Sequence, residues 1–238
     1  MKIFFAIFVI FCNFLAIFPV EEKKETVKTE QIYSELKELI KKIEKYMDGI
    51  NTIFSKFVQT KISKNGKFEM EDGTFYMEKG EKDSCKMRFD FEIAPEKIFI
   101  LKKTMIIRME DGSIKFCDLS SAPISHIFDK KMDIIEYFTE INFGTEIEEN
   151  IVFISLVPKN FKSTRITLFF KAYDNKNIER FLGWSVRNKS DDVVHVRFHE
   201  QSMKVNDKNA FTSDVFEEKF FFERKKSPYT GPPKECGF

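Results

Sequence analysis

The sequence predicts a mainly β (α+β) domain, an antiparallel meander or open barrel preceded by one amphipathic helix. Three observations carry this. In Lys86–Ile93, Met87, Phe89, Phe91 and Ile93 alternate with Lys86, Arg88, Asp90 and Glu92; successive strand side chains point to opposite faces, so one face is apolar and the other charged. Further short apolar runs follow to Phe198, separated by clusters of turn formers. A single stretch, Ile32, Leu36, Ile40, Ile43 and Met47, recurs instead at three- and four-residue steps, the period of a helix.

The elements follow in order. Residues 1–20 comprise Lys2 and then an uncharged, mostly apolar run from Ile3 to Val20, the outline of a secretory signal or an uncleaved anchor. No A-x-A site precedes Glu21, and the lone lysine on the N-terminal side places the rest of the chain across the membrane. Residues 21–30 form a charged spacer, and the helix that starts at residue 31 fades at Asp48-Gly49. From Ile53 to Met109 strand follows strand: Phe68 and Met70, then Phe75 and Met77, flank the Asp72-Gly73 turn signal, and I-F-I-L and M-I-I-R-M follow Pro95. Between Glu110 and Asp133 the signal weakens; Ser120–Pro123 reads as a loop and Ile124–Phe128 as a short helical turn, while Ile134–Phe143 fits helix or strand. Strands resume at Val152, Ile154 and Leu156, at Ile166, Leu168 and Phe170, at Leu182, Trp184 and Val186, and at Val194, Val196 and Phe198. The domain closes near residue 222, and 223–238, rich in Pro, Gly and Lys, reads as a disordered tail.

Composition narrows the function. At 238 residues there is room for one sizeable core. Its 39 basic and 38 acidic residues are interspersed, unlike the basic stripe of a nucleic-acid binder. The 29 Phe are in part what an AT-rich genome produces. Past the signal, Cys85, Cys117 and Cys236 make no disulfide framework; a Cys85–Cys117 bridge is permitted in an oxidising compartment, free half-buried thiols being the alternative.

Catalytic machinery is not legible. His195 and His199 lie four apart in an alternating strand, a span of about 13 Å, too far for one metal ion, and read as solvent-facing. No nucleophile motif surrounds Cys85 or Cys117 that would pair them with His126. Glu69 with Glu71 and Asp90 with Glu92 fall on polar strand faces and read as solvated charge. No phosphate-binding glycine pattern occurs. A curved sheet with one aromatic face under a single helix points instead to an apolar cavity for hydrophobic ligands.

With these residues in view, the chain resembles the outer-membrane lipoprotein carrier family (LolA). F-V-Q-T at Phe57–Thr60, G-T-F-Y-M at Gly73–Met77 and R-F-D-F at Arg88–Phe91 before Pro95 are similar to that family's opening motifs; Tyr76 stands where tryptophan is common. P-I-S-H-I-F at Pro123–Phe128 resembles its segment before a helical turn. L-G-W-S-V-R-N at Leu182–Asn188 and D-V-V-H-V-R-F at Asp192–Phe198 are similar to late strands of alphaproteobacterial members. The order covers residues 31 to about 222.

The resemblance implies an incomplete antiparallel barrel with an N-terminal amphipathic helix and short helices acting as a lid. It implies a monomeric periplasmic carrier, not an enzyme and without a cofactor, that takes lipoprotein acyl chains from an ATP-driven inner-membrane releasing complex to an outer-membrane acceptor. Alternation and bulk then nominate Phe57, Phe75, Met77, Phe89, Phe91, Phe99, Leu101 and Ile107 as lipid-binding residues, with Leu36, Ile40 and Ile43 of the helix beside them. Where the family commonly has arginine and proline after the second motif, this chain has Lys79 and Gly80. Lysine lacks the planar fork of arginine, so the lid latch falls to Lys79 or Arg88. The alternatives are a soluble or membrane-anchored lipid-binding protein of the same fold with another cargo, and a periplasmic thiol or metal enzyme using Cys85, Cys117 and the histidines.

Overall fold

The computed structural model describes residues 28–80, 85–93, 97–101, 104–108, 113–118, 127–128, 132–146, 149–173, 177–217 and 234–235. The expected signal (1–20), most of the spacer, and His126 lie outside them. Two units are distinguished, Met1–Glu35 and Leu36–Phe238. The first is described only over 28–35, the opening turns of helix α1 (Lys28–Asp48), so the helix takes in the last three residues expected in the spacer. Among the described residues no helix is long and apolar enough to cross a membrane.

The second unit is built on one mostly antiparallel sheet, open between its two edge strands. Its strands are β1 (Thr52–Ile62), β2 (Phe68–Lys79), β3 (Cys85–Phe91), β4 (Lys97–Leu101), β5 (Thr104–Arg108), β6 (Ile114–Asp118), β7 (Phe138–Glu146), β8 (Ile151–Pro158), β9 (Arg165–Tyr173), β10 (Asn177–Arg187), β11 (Val193–Phe198), β12 (Lys204–Val205) and β13 (Lys234–Glu235). The order is β13-β6-β5-β4-β3-β2-β1-β11-β10-β9-β8-β7, with β12 also on β1. Two meanders therefore meet where β1 pairs β11, and the expected mainly β, unclosed antiparallel architecture is what forms.

Several local readings resolve. Ile134–Phe143, which fitted either state, divides into a short helix α2 (Ile134–Tyr137), whose first N–H groups Asp133 caps, and the start of β7. β6 lies where the sequence signal had weakened. The tail expected to be disordered contributes β13, which pairs parallel with Cys117 and Asp118 of β6; the bare N–H and C=O row of an edge strand draws such pairing. Cys117 is disulfide-bonded whereas Cys85 is a buried thiol outside any disulfide, so the Cys85–Cys117 bridge does not form.

Alternation sets one interior. Ile53, Phe57, Phe75, Met77, Met87, Phe89 and Phe91 share a cluster with Ile154, Leu168, Phe170, Trp184, Val196 and Phe198 from the other meander. Two glycines make the close approaches. Gly73 faces Phe57 across the β1–β2 ladder, and a Cβ there would stand 2.6 Å from the Phe57 ring. Gly183 follows a register shift at Phe181 in β10, where its φ of +138° suits only glycine.

A Cβ on Gly183 would meet the Val196 carbonyl oxygen at 2.0 Å. Gly183→Ala is therefore expected to lower the unfolding free energy by about 2–3 kcal/mol. Urea denaturation of the two proteins measures it; an unchanged midpoint would mean that β10 and β11 can part there without cost.

Candidate functional site

The interior is an aromatic network on which a separate cover rests. Phe75 lies 4.8 Å from Phe89 and 5.1 Å from Phe198 between ring centroids, and Trp184 lies 5.6 Å from Phe198 and stacks on Phe181. From above, Phe128 sets its ring 5.6 Å from Trp184 and 6.1 Å from Phe181. Phe128, Ile127, Met132 and Ile134 are all buried in this cluster.

Helix α1 supplies the rest of the cover. Leu39, Ile40, Ile43 and Met47 are buried against the sheet, as their helical spacing requires. Its C-terminal end is fixed by five hydrogen bonds. Lys79 Nζ donates to the Met47 carbonyl at 2.7 Å, placing a cation at the negative end of the helix. Asn206 donates through Nδ2 to Gly49 O at 2.8 Å and accepts from the N–H groups of Asn51 and Thr52. Tyr46 Oη accepts from the Phe181 N–H at 3.0 Å, the amide that the register shift in β10 frees. Burial raises the Tyr46 pKa above the usual phenol value.

The cover is tied to α1 through its backbone. Glu44 Oε1 accepts from Ile134 N and Asp48 Oδ1 from Met132 N, each at 2.9 Å. Glu44 and Asp48 are one helical turn apart and so share a face. Sequence reasoning missed both; the i,i+4 carboxylates at the end of an otherwise Lys/Glu-mixed helix were the available signal.

Of the residues nominated from sequence, Phe57, Phe75, Met77, Phe89, Phe91, Ile40 and Ile43 are buried together in the interior, and Leu36 and Ile107 pack against it half-buried. Phe99 and Leu101 do not join them. The β3–β4 register pairs Met87 with Ile100 and Phe89 with Ile98, which turns Phe99 and Leu101 to the opposite face. There they form a second cluster with Ile106 and Phe216.

Arg88 also belongs to that opposite face and is no latch for the interior cover. It forms a bidentate pair with Asp90, both contacts 2.7 Å, and donates to the Val215 carbonyl at 2.8 Å. Its guanidinium lies 5.6 Å from the Tyr76 ring and 5.3 Å from the Phe99 ring. Asp90 is therefore paired and largely buried, not solvated as expected. The group holds down the 3-10 turn Ser213–Phe216, which straps the outer face with help from Ser213 Oγ on Glu78. Glu69 does lie exposed, paired with Lys67, while Glu71 accepts from Gln59 and Lys61.

His195 sits on β11 5.1 Å from the Phe169 ring, half-buried where sequence placed it in solvent. Among the described residues no group of three or more His, Cys, Asp and Glu is arranged to hold a metal ion.

No family model matches the chain, and no curated protein matches it. Solved structures do align. A DUF1329 family protein from Desulfovibrio piger aligns over 79% of this chain and 98% of its own, at 11% identity and a TM-score of 0.49. A domain assigned to outer membrane lipoprotein sorting, from Vibrio parahaemolyticus, covers the same shares at 10% identity and a TM-score of 0.46. A LolA superfamily protein from Nitrosomonas europaea covers 76% and 98% at 10% identity and a TM-score of 0.41. Likeness this distant is a fact about the chain and leaves function to be argued from its own residues.

Two measurements test the roles of these groups. Arg88→Met is expected to cost about 2–4 kcal/mol, because it leaves the largely buried Asp90 without its partner, and to expose the Ser213–Phe216 strap to protease. Lys79→Met removes the charge-assisted bond to the Met47 carbonyl and is expected to cost roughly 1–2 kcal/mol without exposing the strap. Equal losses from both would refute the separation of the two faces.

A second test concerns pH. Burial, and then the nearby Arg197 charge, hold the His195 pKa below its ordinary 6.5. The unfolded chain thus binds the proton more readily, so the stability tied to neutral His195 is complete above that value and is lost as pH falls through the lower folded one. His195→Gln should flatten the fall in urea midpoint between neutral and mildly acidic pH; an identical slope would put the titrating group elsewhere.

Proposed function

We propose that the protein is a periplasmic carrier that shields the acyl chains of lipoproteins on their way from the inner to the outer membrane, acting as a binding protein and not as an enzyme. One observation carries this reading. The aromatic interior is roofed by Ile127, Phe128, Met132 and Ile134, none of which lies in a strand, and the last two are fastened to α1 by the side chains of Asp48 and Glu44. Such a roof can lift without breaking the sheet. An acyl chain would then take the places of Phe128 and Ile127 against Trp184, Phe181 and Phe75, apolar walls of the kind hydrophobic ligands use. A long chain needs such shelter, since each methylene exposed to water costs about 0.8 kcal/mol. The donor would be an ATP-driven complex in the inner membrane and the recipient an outer-membrane acceptor. The order of the motifs from Phe57 to Phe198 supports that assignment of cargo.

The apolar run Ile3–Val20 favours one second reading, an anchored lipid-binding protein that stays at one membrane. Finding residues 1–20 still attached in protein from its own cells would select it.

Mass spectrometry of the protein isolated from its own cells is expected to find triacylated lipoprotein bound. Protein that is consistently empty, or that holds free lipid alone, would overturn the lipoprotein reading. Replacing both fastenings (Glu44→Ala with Asp48→Ala) is expected to speed uptake of a fluorescent long-chain acyl probe by about tenfold or more, since a hydrogen bond to a charged group is worth roughly 1.5–3 kcal/mol. Unchanged uptake would mean that the roof is not the gate.

A further inference from the structure

A polar cavity of about 530 Å³ lies on the outer face of β7–β11, on the other side of the sheet from the interior. Its lining is chemically one-sided. Lys162, Arg165 and Arg187 bring three cations, Ser163, Thr164, Thr167 and Ser185 bring four hydroxyls, and Glu140 brings the one carboxylate.

Two features of this lining are unfavourable without a ligand. Arg165 and Arg187 are direct cross-strand partners in the β9–β10 ladder, and like charges placed opposite one another destabilise a sheet. Relief within the protein is slight: Arg165 reaches Glu140 only at 3.9 Å, and both side chains there are more than half exposed, so the pair is worth little. Among the described residues neither Arg187 nor Lys162 has an ion pair. Three cations against one carboxylate leave a net of two positive charges gathered in a concave site.

The hydroxyls lie in the same place. Ser185 and Thr167 are also cross-strand partners, two positions along the ladder from the arginines and so on the same face. Thr167 Oγ1 shares a hydrogen bond of 2.9 Å with Ser155 Oγ, which fixes its rotamer. Thr164 is buried in the turn that forms one wall. A carboxylate needs one guanidinium fork; two forks, an ammonium and several hydroxyls suit a group with three charged oxygens.

We infer that this cavity binds a phosphoryl group, carried by a small phosphomonoester or by a lipid headgroup, with Arg165 and Arg187 gripping it from adjacent strands and Lys162 closing over it. The two charges of the phosphoryl match the surplus in the lining, and its oxygens convert the repulsion between the arginines into shared attraction. The inference is independent of the acyl-chain reading, which concerns the opposite face.

Calorimetry of the whole protein with inorganic phosphate and with glycerol phosphate, and co-sedimentation with phosphatidylcholine vesicles with and without phosphatidic acid, test it. Saturable binding is expected in at least one arm. Binding of the soluble phosphates without vesicle association identifies a small phosphomonoester site, and association that depends on phosphatidic acid identifies a headgroup site. Arg187→Gln and Arg165→Gln should each weaken binding by at least about tenfold, as loss of a charge-assisted fork requires, while Lys208→Gln, which removes the same charge outside the cavity, should not. In phosphate-free buffer Arg187→Gln should melt no lower than the parent, since it removes a repulsion. No binding in any arm, binding that survives Arg187→Gln undiminished, or a large loss of stability in that variant without phosphate would each overturn the inference.

Discussion

An open sheet with one face this aromatic must keep that face dry, and most of the remaining structure follows from that requirement. Two meanders of short strands, joined edge to edge through β1 and β11, cover each other only in part, as where Phe89 meets Trp184 at 6.1 Å. Cover has to come from elsewhere in the chain, and α1 is the one long helix among the described residues. Its apolar face supplies the area, but area alone does not fix its position. The position comes from Lys79, Asn206 and Tyr46, each satisfying a backbone group that the end of the helix or the irregularity in β10 would otherwise leave bare. The glycines belong to the same constraint: Gly73 leaves room for the Phe57 ring, and Gly183 lets β10 pass close to the Val196 carbonyl of β11.

The two faces of the sheet are closed in physically different ways. On the outer face the strap Ser213–Phe216 is held by a bidentate ion pair flanked by two aromatic rings, plus burial of Phe216. Arg88 and Asp90 are shielded enough that losing either leaves a charge uncompensated, so this closure is permanent in character. Over the interior, the roof hangs from two carboxylates through backbone amides. Such bonds can be exchanged for water one at a time. A structure that needed a static core on both sides would gain nothing from this difference; one that must open on a single side needs it.

Legibility followed the information in the pattern. In β3 apolar and charged residues alternate, so its faces could be assigned before any coordinates, and Phe89 and Phe91 fell together with Phe57, Phe75 and Met77 as expected. The turn expected at Asp72-Gly73 does not form, because β2 runs unbroken from Phe68 to Lys79 along its ladder with β1, which leaves Phe68 and Met70 exposed. In Ile98–Leu101 every residue is apolar. Alternation then carries no phase, and only pairing with β3 decides that Ile98 and Ile100 turn inward while Phe99 and Leu101 turn out. Arg88 was offered as a latch, and Asp90 as solvated charge, for a related reason: nothing local shows that a segment more than a hundred residues away, Val215, folds over that face. Glu44 and Asp48 showed only as an i,i+4 carboxylate pair, because their partners are backbone amides, which leave no trace in side-chain chemistry. The helix-then-strand division at Ile134–Phe143 was written in the sequence as an ambiguity, and both halves of it proved real.

The size of the roof bears on whether a carrier of this design could release its load. Lifting it exposes four buried side chains, Ile127, Phe128, Met132 and Ile134, at about 1.5–3 kcal/mol each, or on the order of ten in all. A long acyl chain gains on the order of ten kcal/mol by leaving water for the same walls. The two terms nearly offset, so the interior on the proposed reading would hold a chain firmly against water yet give it up to another apolar site at little net cost. A bare, unroofed cavity of the same area would bind more tightly and would fail to let go. The packed, lid-filled interior is thus the arrangement expected of a protein that must load and unload by exchange.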